Sequence, residues 1–155
     1  MSLPSDIRLL LLNRVAQVIL YLREYWVIAD QLITHIDANT LTGLELNFKL
    51  NAAVQIRRNL AASIGGVSNA DVRTEMASQY SITNIVAEIN ATNTASTVML
   101  KAMSNLLSVV SASGQVVTAN DTKGQVDSII TSPNSDILRA ACITLRDTAI
   151  DNPNL

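Results

Sequence analysis

One cysteine and one histidine in 155 residues leave little room for site chemistry. The lone Cys142 excludes an internal disulfide and any cysteine-built zinc site. It sits in "LRAACITL", an apolar helical setting, and reads as a small buried hydrophobe. A catalytic triad, a histidine metal site or a proton shuttle would have to rest on His35 alone. That residue lies near the end of a predicted helix, where the macrodipole favours it without any catalytic role. Charge is scarce as well: 15% of residues are charged and the formal net charge is −2. There is no basic block and no Lys/Arg stripe, so direct nucleic-acid binding has no electrostatic footprint. The carboxylates are scattered, with no Glu-x-x-His pair for a di-metal bundle. "IGG" lacks the Gly-Lys-Ser/Thr of a phosphate loop, and "NDTKGQVD" lacks the closing Glu of an EF-hand. These absences predict no catalytic residue, no cofactor and no metal, and the chain reads as not an enzyme.

Long apolar runs are missing from the N-terminal stretch. Its longest are "VILYL" and "YWVIA", and Arg14, Arg23, Glu24 and Asp30 recur too often for a membrane span of about 20 apolar residues. No signal peptide is legible either, since Asp6 stands near the start and no small-residue cleavage site follows. The expectation is a soluble chain made in the cytoplasm, with no membrane partner. Aromatics are only 3% of residues, so a core must come from Leu, Ile, Val, Ala and Met, which suit helix packing.

What is present is a chain that is 48% hydrophobic, patterned for helices. The first is predicted from Pro4 or Ser5 to Asp37, with "DANT" as its stop. Asn13, Arg14, Gln17, Glu24, Gln31 and Thr34 form one narrow polar stripe, so most of its circumference must be covered. The same helix carries the one aromatic cluster, Tyr21, Tyr25 and Trp26, either an interface anchor or core filling.

In "LTGLELNFKLN", Leu44, Leu46, Phe48 and Leu50 alternate with polar residues, a strand pattern taken alone. The pattern flows into "AAVQIRRNLAAS", and the favoured reading is a helix from Thr42 to Ser63, stopped by "IGG". Ser68 and Asp71 resemble a capping box opening the third helix. Its centre, "NATNTAST", is poor in helix formers. Yet Ile82, Ile85, Ile89, Met99, Met103, Leu106 and Val110 keep alternating steps of three and four if Thr92 and Ser96 fill the two missing places. A flexible linker has no reason to keep that phase and would carry Gly or Pro. The spacing therefore predicts one helix over 69–111, roughly 60 Å long. Thr92 and Ser96 then bring small hydroxyls to the seam, suited to close approach across an interface or to a local bend.

"QVVT", "ANDTKG" and "QVDSIIT" predict a β-hairpin over 115–131, in which Val116, Val117, Ile129 and Ile130 supply β-branched residues. A lone hairpin is marginal in water, so it must lie on the helices or pair with another chain. Pro133 opens a last helix over 133–150. The fold class is thus mainly α: one domain, an elongated bundle of three long helices plus a C-terminal helix, with a small hairpin before the last helix.

The run "ADVRTEMASQYSITNIVAEINATNTASTVMLKAM", above all "SQYSITNIVAEINA", and the layout from Gln79 to Ile150 resemble small helical virion proteins of tailed bacteriophages, found around the neck, connector and tail. The resemblance implies a structural subunit that forms homo-oligomers, a ring among them, and meets other virion proteins, with contact surfaces as its sites. The candidate contact residues are Tyr21, Tyr25, Trp26, Thr92, Ser96, Val116, Val117, Ile129 and Ile130. The competing expectation is a helical binding module, a regulator or assembly chaperone, that holds a partner in an apolar groove.

Overall fold

The computed structural model describes residues 5–67, 82–112 and 133–150, which are mainly helical and contain no strand. Four helices occur among them: α1 (Ser5–Asp37), α2 (Gly43–Val67), α3 (Ile82–Ala112) and α4 (Pro133–Ile150). The expected hairpin over 115–131, and the expected start of the third helix at 69–81, lie outside the described residues.

The end of α1 falls where the turn residues placed it, at Asp37. Asn39 takes the left-handed conformation at φ 61°, which asparagine tolerates better than most side chains. The Thr40 N–H then donates to the His35 carbonyl at 2.9 Å and the Asn39 N–H to the Ile36 carbonyl at 3.2 Å, the two closing bonds of a Schellman cap. Leu41 dives into the core immediately afterwards. Thr42 caps α2, its hydroxyl accepting from the Glu45 N–H at 3.1 Å. Glu45 in the first turn also suits the positive end of the helix.

Residues 44–51 are helical. Leu46, Ala53, Ile56 and Leu60 face inward at helical spacing, while Phe48 stands half exposed. The alternation that imitates a strand therefore puts alternate leucines and Phe48 on different sides of a helix. "IGG" does not stop α2, which continues through Gly65 and Gly66 to Val67. Glycine in a helix costs only about 1 kcal/mol relative to alanine, so it favours a stop without enforcing one.

Each helix packs closely on two neighbours, in the cyclic order α1, α2, α3, α4 and back to α1; α1 and α3 meet lightly across the middle. Polar pairs record the directions. Arg139 grips Asp37 with two bonds, at 2.6 and 3.1 Å, and Arg146 reaches Asp30 at 3.1 Å. Partners climb one helix as they descend the other, so α4 runs antiparallel to α1. The Arg139 guanidinium holds the Asp37 carboxyl below the usual carboxylate range. These pairs are open to water, and such pairs fix register more than they add stability. On the other side of α1, Lys49 donates to Gln31 and His35 lies 3.7 Å from Glu45, which sets α2 antiparallel as well.

The core is Leu, Ile, Val, Ala and Met, joined by Cys142 and one aromatic, Tyr25. Burial pushes the Cys142 thiol up to about 12. A thiolate is the nucleophile in alkylation and disulfide exchange. Thiol reagents at pH 8 are therefore expected to leave the native chain unlabelled and to react fully once denaturant unfolds it. Rapid labelling of the folded chain would contradict the burial.

Candidate contact surfaces

The first candidate surface is the polar centre of α3. Ile89, Thr92, Ser96, Met99, Met103 and Leu106 are all fully buried. Thr92 and Ser96 thus occupy the two seam places that the spacing assigned to them, and one helix runs through the whole of "NATNTAST". Most hydroxyls of this stretch turn back on their own helix. Ser96 Oγ donates to the Asn93 carbonyl at 3.0 Å, Thr94 Oγ1 to the Asn90 carbonyl at 3.0 Å, and Thr97 Oγ1 to the Asn93 carbonyl at 2.8 Å. These local bonds satisfy the Thr94, Ser96 and Thr97 hydroxyls within the helix, at the usual cost of a slight bending tendency.

Two hydroxyls here are left over. Thr92 Oγ1 is buried with no hydrogen-bond partner, and so is Tyr25 Oη. The Tyr25 hydroxyl lies near enough to Ser96 to feel its polarity, without the geometry of a bond. Burial raises the Tyr25 pKa, and Ser96 and the Arg57 charge offset part of that rise. Tyr25 and Ser96 therefore meet where α1 and α3 approach.

The predicted contact residues separate accordingly. Tyr25, Thr92 and Ser96 pack inside the chain; Tyr21 and Trp26 are half-buried, with Tyr21 against the core. Val116, Val117, Ile129 and Ile130 lie outside the described residues. His35 is engaged in the α1–α2 corner, its Nδ1 2.9 Å from Thr40 Oγ1. Among the described residues no three His, Cys, Asp or Glu side chains gather as a metal site requires. No described helix is long and apolar enough to cross a membrane.

The second surface is a groove between α1 and α2 of about 530 Å³. Leu20, Val27, Ile28, Ala52 and Ile56 give it apolar walls; Arg23, Glu24, Gln55 and Asn59 supply the polar groups. Leu20 and Val27 are 56% and 42% exposed, and no part of the described chain covers them. The expected binding module has an apolar groove, but sequence reasoning did not place it between α1 and α2. Its one available signal was that Leu20 and Val27 interrupt the polar stripe of α1 at a seven-residue interval.

No protein family, curated protein or solved structure matches the chain.

Proposed function

We propose that the chain is a non-enzymatic structural subunit that acts by oligomeric assembly, in the setting its sequence resembles: a tailed-bacteriophage particle, at the neck or head–tail junction. The observation that carries the reading is the apolar groove of α1 and α2, which no described residue covers, on a chain with few charges. Large apolar side chains left in water mark contact surfaces when they gather around a concavity. Phe48, Val98 and Ile137 add exposed apolar area on α2, α3 and α4. In this reading the elongated bundle of three long helices and its C-terminal helix form the body of the subunit. The expected hairpin over 115–131 and the N-terminal segment interlock with neighbours. The virion is the final location, and itself and other virion proteins are the partners.

Quantitative mass spectrometry of purified particles tests this. The chain should be present at a fixed copy number relative to the other particle proteins. A variant lacking residues 116–130 should keep its helical circular dichroism and fail to incorporate. Absence of the chain from particles would overturn the assignment. The same groove favours a second reading, a helical binding module. That reading expects a stable monomer bound to one partner outside any particle.

A further inference from the structure

The α1–α2 groove has a charge pattern that selects its occupant. Arg23 and Glu24 are adjacent, exposed and line the groove, and neither makes an ion pair among the described residues. They lie midway between Leu20 and Val27 on the same face of α1. Read towards the C-terminus, the strip is apolar, positive, negative, apolar. Its reverse is apolar, negative, positive, apolar.

We infer that this groove is the interface for a second copy of the chain, docked about a two-fold axis that passes between residues 23 and 24. Antiparallel apposition then sets Leu20 against Val27 of the second copy and Arg23 against its Glu24. The two-fold repeats both contacts, so all four residues are matched at once, as an isologous interface requires. Parallel apposition stacks Arg23 on Arg23 and Glu24 on Glu24, which like-charge repulsion disfavours. Ala52 helps on the α2 side, where its single methyl lines the groove and leaves it open to an incoming side chain. Gln55 and Asn59 add a polar rim. The inference rests on the assembly reading above and names the partner of that surface.

Sedimentation equilibrium on the full chain at low salt tests it, with reversals at exposed positions that leave the core untouched. The wild type should self-associate. Arg23→Glu and Glu24→Arg should each weaken dimerisation by about tenfold or more, because each replaces both ion pairs with like-charge contacts. Mixing the two variants should restore wild-type affinity, and native mass spectrometry should find the heterodimer in excess over either homodimer. Leu20→Asp should leave a monomer of unchanged helicity. A wild-type chain that stays monomeric up to about 1 mM would overturn the inference. So would a dimer indifferent to the single reversals, or a mixture that fails to recover, and a monomer whose groove binds a different protein would point to the binding-module reading. The outcomes for the two proposals are separable. Incorporation into particles without this dimer removes the two-fold contact and leaves the structural role. The dimer without incorporation does the reverse.

Discussion

Replacing Tyr25 with alanine is expected to cost about 3–5 kcal/mol of folding stability, the range for removing a large aromatic from a core. Tyr25 is fully buried and is the one aromatic in the core of the described residues. It also stands where α1 and α3 approach, a pair in light contact otherwise. The neighbour at its hydroxyl, Ser96, is too small to fill the void. Tyr25→Phe separates the ring from its hydroxyl. A buried tyrosine normally loses a hydrogen bond in that exchange. Here the hydroxyl has no hydrogen-bond partner, so phenylalanine should be neutral or stabilising by about 1 kcal/mol. Urea denaturation followed by far-UV circular dichroism measures both variants. A loss of more than about 1 kcal/mol in Tyr25→Phe would mean that the hydroxyl is bonded in the folded chain, for instance to a buried water.

The parts of the fold legible in the sequence are those governed by period and local chemistry. The end of α1 at Asp37 follows from "DANT", since capping preferences act over a few residues. The continuity of α3 through "NATNTAST" follows from phase and the lack of Gly or Pro, with Thr92 and Ser96 buried in line with Ile89 and Met99. The run-on into "AAVQIRRNL" and shared helix rows favour helix over the local alternation at residues 44–51, and the structure makes them helical. "IGG" misleads because glycine expresses only a preference, which packing of Ile56 and Leu60 on the same helix outweighs.

The contact surfaces are less legible, for a different reason. A wide apolar face on α1 shows that much must be covered, but not which residues its own neighbours cover. Tyr25 and Leu20 are both apolar in the sequence, yet α3 buries the first and no described helix covers the second. That partition depends on the cyclic order of four helices, which no local pattern encodes. The aromatic cluster suffers the same ambiguity: a four-residue step puts Tyr21 and Tyr25 on one row, whichever side that row faces. The groove between α1 and α2 exists only once two helices adjoin, so its Arg23–Glu24 pair carries meaning only in the folded chain.

The space problem at the centre of α3 gives the second large effect. A regular seam would place leucine at position 96, and leucine is the better helix former and the more hydrophobic residue. Ser96→Leu is nonetheless expected to destabilise the chain by about 1–3 kcal/mol, the usual cost of forcing extra methylenes into a filled core. Ser96 is fully buried near the Tyr25 hydroxyl, and its own hydroxyl is already satisfied by the Asn93 carbonyl. The serine is therefore there for its size, and removing its polarity recovers little. A double-mutant cycle makes the point testable. Ser96→Leu combined with Tyr25→Val should be markedly more stable than the sum of the single changes predicts, because each relieves the volume error of the other. Additive costs would mean that the two side chains do not share one space. If Ser96→Leu alone raised stability, the centre of α3 would be loosely packed, and the polar waist would reflect a bend or a cavity in place of fitted contact between α1 and α3.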